Sequence, residues 1–210
     1  NSSNDAKNVA LSIAAVQSQS EAGAFDIANL PMVSYPQRLD AESLSEIPAL
    51  QMHVLGGILR AKVFADGQYG DEKVQSIAFA DENTPMAGAF KLDLTGLSDE
   101  ASLIVTGLAS RTAKTQLSIP YAVPSSQESA KDIYMILAPG TYDGTLSVTT
   151  EKAVYTQPFQ CEMKRNACYD ASINLSTAAR ESIDGWNGEG TAEAPYQVAT
   201  AEDLQRLIAL

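Results

Sequence analysis

Cys161 and Cys168 are the only cysteines of the chain, in the run Gln160-Cys-Glu-Met-Lys-Arg-Asn-Ala-Cys-Tyr169. The chemistry open to such a pair is a disulfide. A tight hairpin with Lys164-Arg165 at its tip would pair Met163 with Asn166, Glu162 with Ala167, and Cys161 with Cys168. Directly opposed residues of an antiparallel pair lie about 4.5–5.5 Å apart, and a disulfide needs Cα atoms about 4.4–6.8 Å apart. A cross-strand bond is therefore feasible, two half-buried free thiols are the alternative, and the spacing does not choose between them. A metal site needs more ligands than two thiolates, and the single histidine is His53. His53 stands in Met52-His-Val-Leu55 beside an apolar stretch and reads as a structural or surface residue. Neither a Gly-x-Ser-x-Gly elbow nor a Walker-type phosphate loop occurs. Carboxylates are abundant, but no spacing singles out two of them as a glycosidase-type acid–base pair. Asp184, Asn187 and Glu189 make an oxygen-rich turn that departs from the EF-hand loop and reads as a plain turn. Tyr142, Tyr155 and Trp186, if exposed, would offer stacking faces to sugar rings. The residues thus point to a protein without catalysis, cofactor or resident metal.

Bulk properties narrow the partners. The 210 residues are 45% apolar and 19% charged, with net charge −12. That composition folds and carries a core. A surface this acidic repels phosphate, so nucleic acid and anionic lipid are poor partners. No apolar run reaches the roughly 18 residues of a membrane span. The chain opens on the polar run Asn-Ser-Ser-Asn-Asp-Ala-Lys-Asn8, which reads as a processing boundary, with any export signal or lipid anchor upstream of Asn1.

The elements that must position these residues are strands. Tyr169-Asp-Ala-Ser-Ile-Asn-Leu175 alternates apolar and polar side chains. Leu59, Ala61 and Val63 alternate likewise, as do Leu103 and Val105, Leu117, Ile119 and Tyr121, and Leu146 and Val148. Val74–Phe79 is a further strand. Ile133-Tyr-Met-Ile-Leu137 is continuously apolar and reads as a central strand buried on both faces. Turn signals recur at Asp66-Gly67, Asn83-Thr-Pro85, Pro139-Gly140 and Asp143-Gly144. Short strands with frequent turns imply an all-β fold, an antiparallel Greek-key β-sandwich. Two short helices are expected. One runs from Asp40 to Glu46. The other follows the capping box Thr200-Ala-Glu-Asp203, with Leu204, Leu207 and Ile208 at helical spacing. The sandwich is expected over residues 1–177, and residues 178–210 form a linker and the start of another unit.

Residues 30–177 resemble the fimbrillin-like surface domains of gut and oral anaerobic bacteria, which have a transthyretin-like sandwich. The resemblance rests on Leu30-Pro-Met-Val33, His53-Val-Leu-Gly-Gly-Ile-Leu59, Lys73-Val-Gln-Ser-Ile77 with Met86-Ala-Gly88, Ile133–Tyr142, Gly144–Val148 and Met163–Tyr169. The tail Gly185-Trp-Asn-Gly-Glu-Gly-Thr191, with Ala194-Pro-Tyr-Gln-Val-Ala-Thr-Ala-Glu-Asp-Leu204, looks like the segment that opens a GLUG-type β-helix in large adhesins of such bacteria. What this implies is a non-catalytic, exported cell-surface or outer-membrane adhesion protein, held to the membrane only through an upstream lipid anchor. The sandwich would be a spacer or a fimbria-like subunit, self-associating by strand addition or meeting a host or microbial surface protein or glycan. A carbohydrate-binding module, or less readily an accessory domain of a glycoside hydrolase, is the alternative.

Overall fold

The computed structural model describes residues 8–34, 52–66, 72–93, 107–183, 192 and 195–208. In chain order the strands are β1 (Asn8–Ile13), β2 (Val16–Gln19), β3 (Met32–Ser34), β4 (Met52–Val54), β5 (Gly57–Phe64), β6 (Lys73–Ala80) and β7 (Gly88–Asp93). They continue with β8 (Thr112–Ala122), β9 (Asp132–Leu137), β10 (Gly140–Thr150), β11 (Ala153–Met163), β12 (Cys168–Asn174) and β13 (Ala179–Ser182), before the helix α1 (Ala201–Ile208).

The fold is an all-β sandwich. A six-stranded sheet of order β13-β11-β10-β6-β8-β2 faces a three-stranded sheet of order β12-β5-β9. Separate two-stranded ladders join β1 to β7 and β3 to β4. Alternation builds the core: β5 turns Leu59, Ala61 and Val63 inward, β9 turns Ile133, Met135 and Leu137, and β12 turns Ala171 and Ile173. Opposite them lie Ile77 and Phe79 of β6, Leu146 and Val148 of β10, and Tyr155 of β11. Phe79 meets Tyr142 and Phe159 edge-to-face, with ring centroids 5.9 and 5.7 Å away, which adds to its burial energy.

Both sheets are mixed, because β12 runs parallel to β5 and β2 parallel to β8. The parallel β12 has a local cause. After β11 the chain crosses to the other sheet instead of turning back on itself. Asn166, at φ 53°, redirects it, and its N–H donates to the Gly56 carbonyl at 3.0 Å. Ile58 N–H then donates to the Ala167 carbonyl at 2.9 Å. Gly57 is required there, since a Cβ would strike the Met163 side chain and the Lys164 carbonyl.

Other expectations shift in detail. Ile133–Leu137 lies at the end of the small sheet, not at its centre, and its edge main-chain groups bond side chains of β2. Leu117 and Tyr121 turn inward as expected, but Ile119 is 61% exposed. The register steps from Ser76↔Gln116 to Val74↔Tyr121, so β8 bulges and throws Ile119 outward. Asp143-Gly144 is inside β10, where Gly144 lets the Ala80 carbonyl approach too closely for any Cβ. The capping box forms: Asp203 N–H donates to Thr200 Oγ1 at 3.1 Å, and Thr200 N–H to Asp203 Oδ2 at 2.8 Å. The sheet reaches past Thr177, since β13 joins β11. The expected helix at 40–46 and the strand at Leu103 and Val105 lie outside the described residues, as does most of the turn at Asp66-Gly67.

Candidate functional site

The two sheets part at one lateral edge, and the residues that part them are those of the cysteine run. β13 pairs with β11 only from Ala153 to Thr156. Beyond Thr156, no strand among the described residues pairs with the outer edge of β11. Gln157 closes the first step by donating its side-chain amide to the Ser172 carbonyl of β12, at 2.8 Å. Past it the strands diverge around a groove of about 370 Å³. Phe159 and Cys161 of β11 and Tyr169 of β12 form its apolar floor, each half-buried. Glu162, Lys164 and Asp170 form its charged rim, with Lys164 Nζ 3.5 Å from Glu162 Oε1. Pro158 lacks an N–H, so a further ladder on this edge would begin after it.

Burial sets the protonation of the groove wall. Desolvation pushes the Cys161 thiol above its usual range. Tyr142 stands opposite Cys161 on β10; burial pushes its phenol far above the usual range, and its hydroxyl donates to the Ala138 carbonyl at 2.8 Å. Both groups are neutral at physiological pH, and the floor is uncharged.

No family model and no curated protein matches the chain. Among solved structures it is similar to one described as a putative cell adhesion protein from Bacteroides ovatus ATCC 8483, at 13% identity and a TM-score of 0.38. The alignment covers 72% of this chain and 48% of that one, so this chain spans about half the length of its neighbour.

The expected site residues scatter. Cys161 and Cys168 are both free thiols. Cys161 opposes Tyr142 in the large sheet and Cys168 opposes Ile58 in the small one, so the hairpin that would have paired them does not form. Tyr142 and Tyr155 are 1% and 0% exposed and present no face to a sugar. The Tyr155 hydroxyl donates to the Glu72 carboxylate, 3.1 Å from Oε2. Trp186, Asp184, Asn187 and Glu189 lie outside the described residues. His53 is half-buried on β4, opposite Val33 of β3. No His, Cys, Asp or Glu cluster suited to a metal occurs among the described residues. The groove itself escaped sequence reasoning, although Pro158 inside an alternating strand is the signal of an edge.

Proposed function

We propose that this chain is a non-catalytic module of a cell-surface adhesion protein, its β-sandwich serving as a spacer or assembly unit. The observation that carries the reading is the open edge of β11 beside the apolar floor of Phe159, Cys161 and Tyr169. An unpaired strand edge offers main-chain donors and acceptors, and a half-exposed apolar row gives an incoming strand somewhere to place alternate side chains. The occupant we assign is an extended segment of a second copy of the chain. The buried residues Glu72, Asp81 and Asp203 support a scaffolding role, because the carboxylate of each is engaged structurally. Glu72 accepts from Thr150 and Tyr155. Asp81 accepts from backbone amides, and Asp203 caps α1.

Membership of the fimbrillin-like group, export to the outer surface by an upstream lipid anchor, and a β-helical repeat region opened by residues 185–210 complete the proposal. Analytical ultracentrifugation across a concentration series tests its core. Concentration-dependent association is expected, and Tyr169→Glu should abolish it with the melting temperature little changed. A monomer at every concentration, or association indifferent to Tyr169→Glu, would overturn assembly through this edge.

A further inference from the structure

The outward face of the three-stranded sheet holds a second concavity, of about 280 Å³, lined by Arg60, Lys62, Gln127, Asp132, Asp170 and Ser172. Apart from Asp170 it shares no lining residue with the lateral groove. Sheet register explains the cluster. Asp170, Arg60 and Tyr134 form one row across β12, β5 and β9, and Ser172, Lys62 and Asp132 form the row two residues on. Residues two apart share a face, so both rows meet on the outside.

The first row is satisfied. Arg60 grips Asp170 with two nitrogens, Nε to Oδ1 at 2.6 Å and Nη2 to Oδ2 at 2.9 Å. The second is not. Lys62 and Asp132 oppose one another across β5 and β9, a placement that ordinarily closes an ion pair, yet none forms between them. Asp132 uses Oδ2 to accept from the Tyr134 hydroxyl at 3.3 Å, while its Oδ1 is buried with no hydrogen-bond partner among the described residues. The Lys62 ammonium, the Gln127 amide and the Ser172 hydroxyl make no side-chain hydrogen bond either. A buried acceptor without a donor costs about 1–3 kcal/mol, so Asp132 Oδ1, with the half-buried Lys62 and the exposed Gln127 and Ser172 around the same hollow, calls for a ligand group that donates to it.

The chemistry of the four groups selects that ligand. Lys62 only donates, the Asp132 carboxylate only accepts, and Gln127 and Ser172 do both. A partner must therefore accept and donate from neighbouring atoms, as the vicinal hydroxyls of a sugar ring do. The lining carries two cations and two carboxylates, so it balances without a charged guest, and the chain's net charge of −12 repels anions. Pockets for drug-sized ligands begin at about 300 Å³, so a hollow of this size suits one monosaccharide unit.

We propose that this hollow binds a single neutral hexopyranose unit of a glycan, one hydroxyl accepting from Lys62 and its neighbour donating to Asp132, with Gln127 and Ser172 completing the contacts. The site stands independently of strand addition, because its determinants lie on another face. The test is saturation-transfer difference NMR on the full chain with methyl α-mannopyranoside, methyl β-galactopyranoside and methyl β-glucopyranoside as probes, and with glucuronate and glycine as charged comparators. The expected result is transfer to the ring protons of at least one neutral glycoside, with a dissociation constant on the order of millimolar, as ligand size allows. Lys62→Met and Asp132→Ala should each weaken it by about tenfold or more, and Tyr169→Glu in the lateral groove should leave it unchanged. If Asp132→Ala fails to fold, Lys62→Met decides alone, since the Lys62 side chain makes no hydrogen bond to the protein among the described residues. No transfer to any neutral glycoside, transfer that survives the substitutions, or stronger binding of glucuronate or glycine would overturn the proposal.

Discussion

Asp81 is only 3% exposed, and its carboxylate is held by main-chain donors. Oδ1 accepts from the amides of Asn83 at 2.7 Å and Thr84 at 2.9 Å, and Oδ2 from the amide of Asp143 at 2.8 Å. It thereby ties the end of β6 to β10 across the strand pair. The Asp143 amide is the largest cause holding its pKa below the usual carboxylate value, followed by that of Asn83. A depressed folded-state pKa gives stability that is present above the unfolded value, about 3.9, and is lost as pH falls through the folded value. Asp81→Asn keeps the shape but turns an amide N–H₂ toward backbone donors, so a loss of about 2–3 kcal/mol is expected. Urea titrations at neutral pH should read that loss, and the gap between variant and parent should close as pH falls below the carboxylate range. The thiols give a second prediction. Cys168 is exposed, while Cys161 is half-buried with its thiol pKa raised by desolvation. A disulfide-exchange reagent at neutral pH should modify Cys168 first and Cys161 slowly, and both on unfolding without reductant. Failure of both to react after unfolding would show that they are bonded. At this scale the sequence was least informative. The residue types offer Tyr142 and Tyr155 as stacking faces, but not which side chains are covered, and their buried hydroxyls find partners at Ala138 and Glu72 that no local pattern announces.

Glutamine side chains meet both edges of the small sheet, but only those at β9 seal the edge they meet. On β9, Gln17 receives from the Ile136 amide at 2.8 Å and donates to its carbonyl at 2.7 Å. Gln19 does the same between Tyr134 and Asp132, at 2.9 and 3.2 Å. Two side-chain amides from β2 thus stand in for a missing strand, satisfying an edge that would otherwise recruit one. A continuously apolar run therefore stands at a sheet end: Ile136 is 1% exposed although β9 ends its sheet. The substitute ladder is invisible in sequence because glutamine alternating with serine in Val16-Gln-Ser-Gln19 looks like a solvated edge. Gln17 is itself 2% exposed. Gln17→Leu should therefore strand both main-chain groups of Ile136 and cost about 2–4 kcal/mol. The Ile136 amide should exchange with deuterium far faster. At the opposite edge Gln157 makes one exposed bond to Ser172, and Gln157→Ala should cost less than about 1 kcal/mol. Equal costs at the two edges would contradict the view that β9 is sealed and β11 open.

At the scale of the whole molecule, the sandwich was legible because period-two alternation and turn residues write it directly, as in Leu59-Arg-Ala-Lys-Val63. Its limit was not legible: alternation fades after Leu175, and the polar run Ser-Thr-Ala-Ala-Arg180 gives no sign of a strand. Yet Ala179–Ser182 pairs with Ala153–Thr156 and completes the large sheet. Arg180 Nε lies 3.3 Å from the Tyr155 hydroxyl, which bonds the Glu72 carboxylate, so this last strand also covers a buried acidic network. Glu72 is 4% exposed and Thr150 fully buried, and a carboxylate in such a place depends on its hydrogen bonds. A chain ending at Thr177 would expose the edge of β11 along its buried half and admit water to Glu72, losing about 3 kcal/mol or more. One ending at Ile183 keeps β13 and should melt close to the full chain. Calorimetry on the two truncations reads the difference directly. Equal melting temperatures for all three would mean that β13 adds no stability, and that the sandwich closes at Thr177 after all.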